Sequence, residues 1–332
     1  ALDPTQTLVE LTMAICDIES VSSNEAKLAD EIEQVLTTAS HLSITRDGNA
    51  VVARTNLNRD TRVIIAGHID TVPVADNLPS KLHHFEREQV IFGRGTVDMK
   101  GGIAVMLKLA VELQQPKFDV TWVFYDNEEV AADLNGLGRL SRNHPELLTG
   151  EFAVLCEPTS AMVEGGCNGT VRVEVRTVGV KAHSARPWMG KNAIHALAHS
   201  LNILNDYQPA TITVDGLAYK ESLSAVLVSG GIATNVIPDA AALTVNYRFA
   251  PDKSAAEAIA HLEILFKGFE VVVTDQAEGA KPGLNLPVAL DFIAAIGAEV
   301  RPKYGWTDVA RFSAMGIPAV NYGPGDPSLA HA

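Results

Sequence analysis

The chain predicts an α/β protein in which a larger domain with a mostly parallel sheet is interrupted by a smaller ferredoxin-like βαββαβ domain. Three observations predict this. The runs Val63-Ile64-Ile65-Ala66, Val120 to Tyr125 and Phe152 to Cys156 are apolar on both faces and alternate with helical stretches, as strands buried in a parallel sheet do. From about Thr170 the texture changes, because Val171, Val173 and Val175 alternate with Arg172, Glu174 and Arg176, the pattern of a strand with one wet face. After Pro287 the first texture returns. Residues 1–169 and 286–332 are therefore expected to form one domain and 170–285 an insertion. A chain of 332 residues exceeds what one core usually fills.

In order along the chain, Asp3-Pro4 predicts a helix cap and first-turn proline ahead of Leu8, Leu11, Ile15 and Ile18 at helical spacing. Ser22-Ser23-Asn24-Glu25 has the form of a capping box before Leu28, Ile32 and Val35. Asp47-Gly48 between Leu42 to Thr45 and Val51 to Arg54 predicts a hairpin. A polar loop is expected between His68 and the glycine-rich stretch Gly93 to Gly102, which feeds a helix beginning at Ile103. In the insertion, the strand at Val171 precedes a helix from Asn192 to Asn205, strands Ser222 to Val228 and Ala241 to Phe249, a helix Ala255 to Phe266 and a strand Glu270 to Thr274. That order is a split βαβ unit of the ferredoxin type. Helices Val288 to Ile296 and Thr307 to Met315 and a strand Ala319 to Tyr322 complete the first domain.

Composition narrows the function. With 26 basic and 40 acidic residues the net charge is -14, which argues against a nucleic-acid partner, since phosphate binding needs a basic stripe. The apolar runs are strand-sized, well short of the roughly 20 residues that span a bilayer, so no membrane association is expected. The first residues carry no basic, apolar, small-residue signal pattern. Cys16, Cys156 and Cys167 cannot all pair, and a reducing cytoplasm fits them.

In open α/β sheets, ligands collect at the carboxyl ends of strands. There this sequence places His68, Glu128 and Glu129, Glu157 and, just past the final strand, His331. In the turn Gly93-Arg94-Gly95-Thr96-Val97-Asp98-Met99-Lys100-Gly101-Gly102 a single acid, Asp98, is delivered by a backbone rich in glycine. A carboxylate can bridge two cations roughly 3.5 to 4 Å apart, and Asp98 is the candidate bridge. A phosphate loop is the competing reading, but the Gly-x-x-x-x-Gly-Lys-Ser/Thr pattern is absent. Asp70, two residues beyond His68, can accept its imidazole N–H and so orient the other nitrogen. Glu128 and Glu129 are adjacent with diverging side chains, so one can bind metal while the other addresses a water. Imidazole and carboxylate donors suit zinc, with cobalt or manganese as substitutes.

The residues also carry a family resemblance. G-H-I-D-T-V-P at 67–73, G-R-G-T-V-D-M-K-G-G at 93–102, the pair Glu128-Glu129, C-E-P-T at 156–159 and A-H at 330–331 resemble the acetylornithine deacetylase and succinyl-diaminopimelate desuccinylase family of di-zinc hydrolases. The resemblance spans nearly the whole chain. It implies two zinc ions per subunit, with Asp98 bridging, His68 and Glu157 completing one site and Glu129 and His331 the other. It further implies that Glu128 is the general base and Asp70 the partner of His68. The inserted domain would be a lid that forms a homodimer, and His183 in Gly179-Val180-Lys181-Ala182-His183-Ser184 would stabilise the oxyanion in the partner subunit's site. Asn235 and Arg248 match substrate-contacting positions. Family members continue past the last histidine into an acid and a closing helix, whereas the residues here stop at Ala332, either because the chain is shortened or because that tail lies beyond them.

Within the family, G-W-T-D-V-A-R-F at 305–312 and the stretch from Cys167 most resemble actinobacterial desuccinylases of lysine biosynthesis. The implied substrate is a small N-acyl amino acid, N-succinyl-LL-2,6-diaminopimelate, with N-acetylornithine or another N-acyl amino acid as runner-up and a dipeptide third. So anionic a substrate needs basic partners, for which Arg248 and Arg186 are candidates. A metal-binding interaction protein without catalysis is the reading from another class, and Glu128 beside Glu129 speaks against it.

Overall fold

A computed structural model of the chain describes residues 1–85 and 88–331. It divides into two compact units, one of Ala1–Gly165, Gly283–Arg301 and Arg311–Ala332, the other of Gly166–Pro282 and Pro302–Ala310.

In the first unit, α1 (Leu8–Cys16) is capped by Thr7, not by Asp3 as expected. Thr7 and Glu10 exchange side-chain and backbone hydrogen bonds in a capping box, whereas Asp3 accepts the Thr5 N–H in a local turn. The cap expected at Ser22 is also absent. Helix α2 (Ala26–Thr37) starts at Glu25 without a side-chain cap, because the Ser22 and Ser23 hydroxyls donate to Asp70 and Asn127 instead. Strands β1 (Ser43–Asp47) and β2 (Ala50–Arg54) form the expected hairpin, followed by β3 (Arg62–His68). Where a polar loop was expected, β4 (Lys81–Phe85) and β5 (Glu88–Phe92) form an antiparallel pair. That pair stands outside the main sheet, and Phe85 and Phe92 are exposed, so no buried face imposes an alternating pattern. Next come α3 (Lys100–Glu112), the fully buried β6 (Asp119–Tyr125), α4 (Gly136–Asn143), β7 (Phe152–Leu155) and β8 (Val163–Gly165).

The second unit begins with β9 (Gly169–Val178) and the short β10 (Ala182–His183). The single helix expected from Asn192 is two, α5 (Ala193–Ala196) and α6 (Ala198–Asp206), divided at Leu197. Strands β11 (Thr211–Val214) and β12 (Leu217–Lys220) make a hairpin that the sequence analysis did not anticipate. Its signal was present in Asp215-Gly216, both at positive φ, as such a tight turn requires. Then follow β13 (Ser222–Gly230), β14 (Val236–Ile237), β15 (Ala240–Phe249), α7 (Ala255–Leu265) and β16 (Glu270–Ala277). The sheet runs β13-β15-β9-β16, every pair antiparallel, and its inward Val171, Val173, Val175, Leu243 and Val245 pack with Leu197, between α5 and α6, and Leu262 of α7.

The chain returns through α8 (Pro287–Ile296), β17 (Val300–Pro302), α9 (Val309–Ala314) and β18 (Ala319–Asn321). Residues 302–310, assigned by sequence to the first domain, group with the second unit. Hydrogen bonds hold them there: Asn168 N–H donates to the Lys303 carbonyl and the Trp306 indole to the Glu278 carbonyl.

The first unit's sheet has the order β1-β2-β6-β3-β7-β18-β8-β17. Its centre, β6-β3-β7-β18, is parallel, while β1, β2 and β8 pair antiparallel at the margins. Leu11, Ile15, Leu28, Ile32, Ile103 and Leu107 from α1 to α3 bury against Trp122 and Phe124. Each such side chain contributes about 1.5–3 kcal/mol of transfer free energy. The parallel register sets His68 level with Tyr125 and Ala66 level with Leu155, so the strands end together. Among the described residues, no helix is long and apolar enough to cross a membrane.

Helix α3 lies so close to the end of β7 that a Cβ on Gly102 would sit 2.3 Å from the Cys156 carbonyl oxygen. Gly102→Ala is expected to destabilise the fold by about 1–3 kcal/mol, the usual range for overpacking, read as a lower urea midpoint at unchanged slope. An unchanged midpoint would show that the helix can shift freely.

Candidate active site

His68 is the last residue of β3 and is almost fully buried. The turn before α3 brings Asp98 to it: Gly95, at φ +80, lets the chain bend where a Cβ would meet Thr71 and Lys100 at 2.9 Å. The Asp98–Met99 peptide is cis. Asp98 Oδ1 lies 3.1 Å from His68 Nε2, and its Oδ2 lies 3.4 Å from His331 Nε2. Glu157, just past β7, places Oε1 3.9 Å from His68 Nε2, and Glu129 places Oε1 2.9 Å from His331 Nε2. Donor atoms of His68, Asp98 and Glu129 fall within 4.8 Å of one another, close enough to hold a cation. A cavity of about 240 Å³ opens beside Asp98, Glu129 and His331, walled by Val90 and Phe92 of β5.

Asp70 ties this arrangement together. His68 Nδ1 lies 3.1 Å from the Asp70 backbone carbonyl and 3.4 Å from its Oδ1, so two acceptors face that nitrogen and the nearer is the carbonyl. The same carboxylate accepts the Glu128 N–H at 3.0 Å, the Glu129 N–H at 3.1 Å and the Ser22 hydroxyl at 2.7 Å. One buried acid thus orients the histidine on β3 and the turn after β6 that carries both glutamates. Glu128 itself is half-buried.

The charges are crowded. Burial alone would push the His68 imidazole towards neutrality, but Asp70, Asp98 and Glu157 outweigh it and raise its pKa well above the usual value. Burial also opposes ionisation of Asp70, yet its hydrogen bond to His68, the imidazolium charge and the Glu128 and Ser22 donors hold it at about 2. At Glu129 burial, reinforced by the neighbouring Asp98, raises the pKa. Carboxylates pressed together around imidazoles fit a divalent cation, which would relieve their repulsion and take their lone pairs.

The remaining predicted residues belong to the second unit. His183 pairs with Val236 across β10 and β14, and its Nδ1 accepts the Ala185 N–H at 3.1 Å. Around it, the Arg186 N–H donates to the His183 carbonyl and the Ser184 N–H to the Asn235 carbonyl, so those three residues form one local cluster. Arg248 lies on the polar face of β15, its Nε donating to Asn246 Oδ1 at 3.0 Å. Burial, and then the nearby Arg172 charge, lower its pKa.

Sequence reasoning missed two supports. Ser22 was read as a helix cap although it anchors Asp70. Lys100 is buried to 1 % exposure with Nζ donating to the Ile18 carbonyl, and burial pushes its pKa down to about 8. Its only signal was a charge among the glycines and aliphatics that open α3.

A parallel-centred α/β sheet that gathers histidines and acids at its carboxyl end has the build of a metal-dependent hydrolase. The sequence signature of Peptidase family M20/M25/M40 extends over residues 64–332, and the chain belongs to that family. It is 54% identical over 326 residues to the "Putative succinyl-diaminopimelate desuccinylase DapE" of Mycobacterium tuberculosis, covering 97% of this chain and 91% of that protein. It is 46% identical over 334 residues to the succinyl-diaminopimelate desuccinylase of Corynebacterium glutamicum, covering 97% and 89%. In fold it is similar to an M20 family metallo-carboxypeptidase from Sulfolobus solfataricus, with a TM-score of 0.76 at 18% identity over 99% of this chain and 94% of that one.

Asp70 provides a pH test. Its folded pKa of about 2 lies below the ordinary 3.8, so its stabilisation is fully present above pH 4 and is lost as pH falls through 2. In metal-free protein, Asp70→Asn is expected to cost about 2 kcal/mol near neutrality, a deficit that closes in acid, measured by urea unfolding across pH. A deficit independent of pH would mean that the carboxylate charge contributes nothing.

Proposed function

We propose that the chain hydrolyses N-succinyl-LL-2,6-diaminopimelate to succinate and LL-2,6-diaminopimelate. The observation that carries the chemistry is Asp98, with one carboxylate oxygen towards His68 and the other towards His331. In this reading two zinc ions would be held with Asp98 between them, His68 and Glu157 serving one and Glu129 and His331 the other. The substrate assignment is supported by 54% and 46% identity to desuccinylases along nearly the whole chain.

When bound, the metal pair supplies a Lewis acid and lowers the pKa of a water. Glu128 would take the proton from the attacking water as the water oxygen bonds to the amide carbonyl carbon, and would deliver it to the leaving nitrogen as the C–N bond breaks. Asp70 keeps His68 in one tautomer and fixes the backbone under Glu128. His183 of the partner subunit donates a hydrogen bond to the oxyanion, and Asn235, Arg186 and Arg248 contact the anionic substrate.

The second unit joins two copies into a dimer. In support, β13 is an edge strand of its sheet, and its Val226, Leu227 and Val228 are exposed by 51%, 70% and 67%, an apolar edge that an isolated subunit would leave in water. A cytoplasmic location accords with three buried, unpaired cysteines.

Metal analysis of active protein should find two zinc equivalents per chain, and full activity with one would remove the bridging role from Asp98. Glu128→Gln should retain both and lower kcat by about 100- to 10,000-fold. A loss within tenfold would assign the proton transfer to another group. In a panel of N-succinyl and N-acetyl amino acids, the succinylated diaminopimelate should lead by at least about tenfold, and an N-acetyl substrate ahead of it would overturn the assignment. Leu227→Asp should shift the sedimentation of the protein from dimer to monomer.

A further inference from the structure

Arg94 is only 7% exposed, and its Nε is buried without a hydrogen-bond partner. It lines the same cavity as Asp98, Glu129 and His331. Among the described residues its side chain makes no ion pair, not even with the two acids that share the cavity. A buried guanidinium without an anion is costly, and arginine cannot escape by losing its proton. The position is nevertheless held firmly: the Arg94 N–H donates to the Asn77 carbonyl, and the Thr96 N–H closes the turn on the Gly93 carbonyl. On its chain-preceding side Val90, Ile91 and Phe92 form part of the cavity lining and bring no competing charge.

We propose that Arg94 is a specificity residue, a guanidinium kept unpaired so that it can bind a carboxylate of the substrate inside the cavity. This rests on the reading of the site as one that hydrolyses an anionic N-acyl amino acid. Two carboxylate sources share that chemistry, the free end of the succinyl group and the carboxylates of the amino acid. A planar fork of N–H donors grips either in the same way.

The test compares wild type, Arg94→Met and Arg94→Lys on three substrates: N-succinyl-diaminopimelate, its N-butyryl analogue, and the succinylated compound with both amino-acid carboxylates amidated. Ratios of kcat/KM on one preparation do not depend on the active fraction or on partial metal loss. Arg94→Met should lose about 10- to 100-fold on the succinylated substrate and much less on whichever analogue lacks the paired carboxylate. Arg94→Lys should fall between and carries the comparison if Arg94→Met does not fold. A flat response on the butyryl analogue places the guanidinium on the acyl carboxylate, and a flat response on the amidated one places it on the amino acid. Equal losses on all three would overturn the proposal and leave Arg94 a structural cation. Should wild type prefer the butyryl compound, the desuccinylase reading falls. Calorimetric binding of succinate and of diaminopimelate to wild type and Arg94→Lys then decides Arg94 separately, since unchanged affinity for both ligands overturns it and weakened affinity for either supports it.

Discussion

The arrangement of the site depends on one buried carboxylate. Asp70 faces His68 on one side and receives the backbone N–H groups of Glu128 and Glu129 on the other, with the Ser22 hydroxyl as a further donor. An acid so deep is tolerable only because its lone pairs are met, and meeting them fixes the relative positions of the ends of β3 and β6. The parallel register does the coarse alignment by ending these strands together. Asp70 does the fine alignment, because hydrogen bonds are directional where apolar packing is not.

Around that anchor the site stores negative charge. Asp98 and Glu129 share one cavity, and Glu157 adds a third carboxylate near His68. Glu129 is pushed towards its neutral form by burial and by Asp98, while the imidazole of His68 is pulled towards its cation. The Glu129 shift comes first from burial and then from Asp98, the His68 shift from the surrounding acids against its burial, and a divalent cation among these acids answers both. The rest of the unit serves this concentration: α3 is pressed against the end of β7 through Gly102, which brings the turn bearing Asp98 to the strand ends.

Legibility differed by element for identifiable reasons. Strands β3, β6 and β7 were readable because each is a continuous apolar run, and β9 and β15 because a sheet with one wet face imprints alternation. The β4 and β5 pair left no such trace, as it stands outside both main sheets. Ser22-Ser23 was misread because a serine hydroxyl before a helix can either accept a helix N–H or donate to an oxygen distant in sequence, and here Ser22 donates to the Asp70 carboxylate and Ser23 to Asn127 Oδ1. Residues 302–310 were assigned to the wrong unit since hydrogen bonds to Asn168 and Glu278, not composition, hold them.

By itself the sequence determined the fold class, the insertion and the residue types available for chemistry, since periodicity and the order of motifs are local properties of the chain. Only tertiary structure decided that Asp98 stands between two histidines that lie 263 positions apart, at 68 and 331, that Asp70 governs both glutamates through their backbone, and that Arg94 is buried without a partner. Those facts depend on distances between residues remote in sequence, and such distances are set by packing and directional hydrogen bonds that no local pattern encodes.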